Sequence, residues 1–90
     1  MAYYVAFLHP SSDGYSVAFP DVPGCVSHGA TIAEAVRHAG EALEFHAEAE
    51  REDGRELPAP RAPEQIPSDP EEPEAARFLV ALDEPARKAA

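Results

Sequence analysis

The sequence predicts a small α+β domain in the order β-β-β-α-loop-β, with a mainly antiparallel sheet and one main helix packed on one face. Three observations carry this. The first twenty residues alternate as half-buried strands do. Residues 31–54 form a capped stretch with apolar groups at helical spacing. Residues 57–74 hold six prolines, which exclude a long helix or central strand, and the apolar run "ARFLVAL" follows at 76–82.

In "MAYYVAFLHP", Tyr3, Val5 and Phe7 point one way and Tyr4, Ala6 and Leu8 the other. Asp13-Gly14 supplies the positive backbone angles of a hairpin turn. Tyr15, Val17 and Phe19 then define a second strand that ends at Pro20, which has no N–H for a ladder. Pro23-Gly24 reads as a turn, and "CVSH" has room only for a short third strand.

Gly29 allows the chain to swing out, and Thr31 to Glu34 spells T-x-x-E, a helix-opening capping box. Ile32, Ala35, Val36, Ala39, Leu43, His46 and Ala47 fall on one side of the helix, and Gly54 is placed as its left-handed stop. Gly40 costs about 1 kcal/mol relative to alanine inside a helix, which predicts close packing on the sheet there. Asp69-Pro70 predicts one short helical turn within the proline-rich loop, 57–75. A crossover that contains a helix permits the last strand to pair parallel with the first. The domain is expected to span 1–82, with a disordered tail at 83–90.

Ninety residues make one domain, too short for two independent cores. Seventeen acidic against seven basic residues give a formal charge of −10. Such a surface repels phosphate backbones and anionic membranes and favours cationic partners. No apolar run approaches a membrane span, and a lone cysteine fits a reducing compartment, so a soluble cytoplasmic chain is expected.

Cys25 and His28 form half of a zinc site at best, because no second cysteine exists and His9, His38 and His46 are scattered. A Cys25–His28 nucleophile pair oriented by Asp21 lacks an oxyanion loop, and a buried cysteine usually packs as a small apolar residue. No phosphate-binding glycine motif and no basic patch occur. Neither catalytic residues, nor a metal, nor a cofactor is expected. The acids Glu48, Glu50, Glu52 and Asp53 crowd the helix C-terminus against its dipole, a broken local rule that hints at a cationic partner.

The motif Phe19-Pro20-Asp21-Val22-Pro23-Gly24-Cys25, followed by Gly29, Thr31, Glu34 and Ala35, resembles the HicB-type antitoxins of toxin–antitoxin pairs. The similarity covers roughly residues 3 to 60 and, more loosely, "ARFLVAL". The resemblance implies a partial ribonuclease-H-like fold in which that motif is scaffold. Residues 3 to 8 carry no acid where nucleases of that fold place a metal-binding carboxylate, so the fold is expected without its enzyme.

The implied role is to bind a small basic RNA-cleaving toxin, HicA, by covering its catalytic and RNA-binding surface. Candidate toxin contacts are Glu48, Glu50, Glu52 and Asp53 on the helix, and Glu71, Glu72 and Glu74 in the loop. A homodimer or higher even oligomer is expected, and no DNA binding by this chain alone, since many relatives carry that function in a further C-terminal domain. The alternative is an orphan HicB-like regulatory or scaffold protein without a toxin.

Overall fold

The computed structural model describes residues 1–83. The expected tail, 83–90, lies outside the described residues except for Asp83. Strands β1 (Ala2–Ser11) and β2 (Gly14–Ala18) form a hairpin closed by the pair Ser11 and Gly14. With β3 (Val26–Gly29) and β4 (Ala76–Leu82) they make one four-stranded sheet of order β3-β2-β1-β4, antiparallel throughout. The α+β class stands. Of the expected Asp13-Gly14 pair, only Gly14 takes a positive φ, at 145°.

The antiparallel return of β4 corrects the parallel pairing, and the path of the chain explains it. Helix α1 (Ile32–Glu52) starts beside Gly29, at the end of the sheet where β1 finishes, and runs down to the other end. The proline-rich loop is long and extended enough to travel all the way back. β4 therefore enters opposite Leu8 and runs against β1, with Ala76 facing Leu8 and Leu82 facing Ala2.

Register divides the sheet into two faces. Tyr4, Ala6, Leu8, Val17, Val80 and Leu82 pack with Ala35, Ala39, Leu43 and Ala47 of α1 in the main core. Burying such side chains contributes roughly 25 cal/mol per Å² of apolar surface withdrawn from water. The helical contact line is narrower than the sequence predicts. Ile32 and Val36 are exposed, because the small alanines that face the sheet draw α1 close and leave both residues on its flank.

Close approach also occurs at a different glycine from the expected one. A Cβ at Gly29 would stand 2.3 Å from the Ala35 nitrogen, whereas one at Gly40 would meet nothing within 4 Å. Packing between helix and strand therefore demands Gly29 and leaves Gly40 free.

The loop covers both sides of the sheet. On the helix side the Tyr4 hydroxyl donates to the Pro58 carbonyl at 2.7 Å. On the other side, Arg77 stands opposite Phe7, with its guanidinium 4.7 Å from the ring centroid. Its Nη1 donates to the Pro63 and Ile66 carbonyls at 2.6 and 2.8 Å. Buried Val5 and Ile66 stand outside the main core, on this second side. The short helical turn is a 3₁₀ turn at Pro63–Gln65 rather than at Asp69-Pro70. Asp69 spends its carboxylate on the Glu71 amide at 2.9 Å, and its carbonyl accepts from Glu72, which makes a bend.

Candidate functional site

Residues 19–25 form a tight connector between β2 and β3, and residues 30–31 lead from β3 into α1. The Val22 amide donates to the Phe19 carbonyl at 3.1 Å and the Cys25 amide to the Val22 carbonyl at 3.0 Å. The Phe19 amide closes the loop on the Cys25 carbonyl at 3.3 Å, and Gly24 supplies a φ of 87°. Phe19, Val22 and Cys25 all enter the core. Thr31 Oγ1 accepts from the Glu34 amide at 3.1 Å. Glu34 reaches back to the Ala30 amide at 3.4 Å, one residue before the cap.

Cys25 is buried, and burial pushes its thiol pKa up, the opposite of what a nucleophile needs. His28 turns away toward the hairpin turn, with Nε2 3.3 Å from Asp13 Oδ1 and 3.4 Å from Ser11 Oγ. His38 donates from Nδ1 to the His28 carbonyl at 2.6 Å. Among the described residues no group of three or more His, Cys, Asp or Glu side chains is placed to hold a metal.

Asp21, whose side chain is only 7% exposed, does not orient a histidine. It accepts from the Arg61 amide and from Arg61 Nε, each at 2.7 Å, and so ties the connector to the proline-rich loop.

The candidate acids fall into two groups that the fold keeps apart. Glu48 and Glu52 lie on the outward face of α1, where they line a shallow groove with Phe45 and Ala49. Glu50 and Asp53 are engaged by Arg55, whose Nε reaches Glu50 Oε2 at 2.8 Å and whose Nη2 reaches Asp53 Oδ2 at 3.2 Å. The hydrogen bond from Arg55 holds the Glu50 carboxyl below its usual pKa. Gly54, with a φ of 76°, lets the chain turn so that Arg55 donates its amide to the Glu50 carbonyl at 2.8 Å. A cation is thereby set at the helix C-terminus, which answers much of the conflict with the dipole.

Glu71 and Glu72 are exposed in the loop bend. Glu74 is withdrawn: its side chain is 7% exposed, and Oε2 accepts from Arg77 and from Ser68 Oγ. Its carboxyl is held below the usual range by a hydrogen bond from its own backbone amide and by these donors. The Ala75 amide bonds to the Leu8 carbonyl at 2.8 Å, so this group lies at the N-terminal end of α1. The helix-end acids are a helix length away, roughly 30 Å for 21 residues.

One residue escaped the sequence reading altogether. Phe45 is 77% exposed in the middle of the charged face of α1. Its signal was available: an aromatic four residues after Glu41 and three before Glu48 stands opposite the apolar stripe.

A four-stranded antiparallel sheet thus carries one helix on one face, and the motif at residues 19–25 builds the turn that joins β2 to β3. Residues 3–89 match the family model described as the HicB-like antitoxin of bacterial toxin–antitoxin systems, and the chain belongs to that family. A chain of the HicA3–HicB3 toxin–antitoxin complex superimposes with a TM-score of 0.77 at 32% identity, covering 91% of this chain and 99% of that one. The N-terminal domain of the Burkholderia pseudomallei antitoxin HicB gives 0.77 at 30% identity, with 90% and 98% covered. An uncharacterised 14.9 kDa protein from the rep-hol intergenic region of Haemophilus phage HP1 is 46% identical over 68 residues. The match spans 76% of this chain and about half of that relative, 51% of its length.

Proposed function

We propose that this chain is an antitoxin that binds and neutralises a small basic HicA-like mRNA-cleaving toxin by covering its RNA-binding and catalytic surface. The observation that carries the reading is its likeness, over almost the whole of the relative, to a chain solved in a HicA3–HicB3 complex. The formal charge of −10 supports it, since carboxylates can occupy the places of RNA phosphates on a cationic surface. The role is non-enzymatic and cytoplasmic, on a partial ribonuclease-H-like domain spanning residues 1–82. Self-association into a dimer or higher even oligomer goes through the edge strands β3 and β4, the latter an apolar strand with little charge to guard it.

The test is to look beside the gene for this chain for a short basic reading frame and to co-express the two. The toxin should arrest growth alone, and the pair should restore growth and co-purify. Separate elution with continuing arrest overturns the reading in favour of an orphan regulatory or scaffold protein. Light scattering on this chain alone at tens of micromolar should give an even multiple of the monomer mass, and a monomer contradicts the self-association.

A further inference from the structure

Phe45 is the most exposed aromatic side chain described, at 77%, and it sits on the line of α1 farthest from the sheet. At 100° per residue it points about 200° away from fully buried Leu43. Glu41 lies one turn before it and Glu48 one turn after; Glu52 lies two turns on. Ala49, four residues along, leaves the space beside the ring open, so that Phe45, Glu48, Ala49 and Glu52 line a groove. No hydrogen bond or ion pair within the described residues engages Glu41, Glu48 or Glu52, in contrast to Glu50 and Asp53, which Arg55 has taken up.

An aromatic anchor ringed by unpaired carboxylates is informative about what it fits. A second copy is disfavoured, because this face on itself would oppose carboxylates within a pair of chains each carrying −10. Nucleic acid and anionic membrane are disfavoured for the same reason. What remains complementary is a protein surface with an apolar socket framed by lysine or arginine. Aromatic anchors surrounded by a charged rim are the pattern in which a few residues carry most of the binding energy.

Resting on the reading of this chain as the antitoxin of a small basic toxin, we propose that the outer face of α1, centred on Phe45, is the surface on which the toxin docks. Phe45 fills a socket among the basic side chains that would otherwise hold RNA, and Glu41, Glu48 and Glu52 pair with those side chains. The face spans three helical turns, about 17 Å from Glu41 to Glu52. The loop acids Glu71 and Glu72, at the other end of α1, are outside it.

The experiment measures binding of the toxin encoded beside this chain's gene to the full chain and its variants. Phe45→Ser should weaken binding by at least about tenfold, mainly through faster dissociation, as hot-spot truncation does. The pair Glu48→Lys and Glu52→Lys should slow association and flatten its salt dependence. Tyr3→Ser, at an exposed aromatic position of the inner strand β1 on the face of the sheet opposite α1, should bind within twofold of wild type. Because the chain has no tryptophan, Phe45→Trp adds a local reporter whose emission should shift to the blue on binding, after subtraction of the toxin's own signal.

Failure of the wild-type chain to bind overturns both the docking face and the antitoxin reading. Wild-type binding with Phe45→Ser unchanged, or weakened only by Tyr3→Ser, overturns the docking face alone. So does a halving of the particle mass by Phe45→Ser without toxin, which would assign the face to a second copy. Unchanged melting temperatures establish that the surface variants are folded.

Discussion

Asp21 and Arg61, forty residues apart, are joined by two 2.7 Å hydrogen bonds, one to the backbone amide and one to the side-chain Nε of Arg61. The aspartate of the connector thus anchors the loop that crosses from the helix side of the sheet to the other side. The acid expected beside a histidine instead holds the proline-rich segment in place.

Asp21→Ala should lower stability by about 1–3 kcal/mol, the range for leaving the partner of a charge-assisted hydrogen bond unsatisfied. Arg61→Ala should cost less, because its backbone amide still reaches Asp21. Thermal melts of the two variants would show the order, and an equal or larger loss for Arg61→Ala would contradict the clamp.

The two glycines near the helix should respond in opposite directions. Gly29→Ala forces a methyl to within 2.3 Å of backbone that has no freedom to yield, and should destabilise by at least about 1–3 kcal/mol. Gly40→Ala meets open space and should stabilise by about 1 kcal/mol through helix propensity. Denaturant midpoints would report both, and a destabilising Gly40→Ala would mean that a partner packs there.

Cys25 should behave as a packing residue. Burial raises its thiol pKa, so alkylation in the folded chain should be slow at pH 7 and speed up on addition of denaturant. Cys25→Ser should cost about 1–3 kcal/mol by placing a hydroxyl in an apolar site, with toxin binding preserved in the folded fraction. Rapid alkylation of the native chain would contradict this.

The Glu74 carboxyl has a lowered pKa in the folded chain. It therefore contributes stability that is present above the unfolded value, about 4.3, and is lost as pH falls through the folded one. Glu74→Gln should melt lower than wild type at pH 7, and the gap should narrow as pH drops below about 4. A gap independent of pH would mean that the side chain acts by packing, not by charge.

The elements with local causes were legible from the residues. Alternation over Tyr3 to Leu8 gives β1, Thr31 with Glu34 opens α1, and Gly54 stops it, because neighbours two to four positions apart decide each. The core line Ala35, Ala39, Leu43 and Ala47 follows from the same periodicity. The direction of β4, the seats of Arg61 and Arg77, and the fates of individual acids were decided elsewhere. Six prolines say that residues 57–74 are extended, but not which side of the sheet they cross or which end they return to. Only the completed path brings Arg55 to Glu50 and Arg77 to Glu74, and leaves Glu48, Glu52 and Phe45 facing outward. Helical spacing orders residues around an axis; it is the packing of that axis on the sheet that fixes which of them meet water.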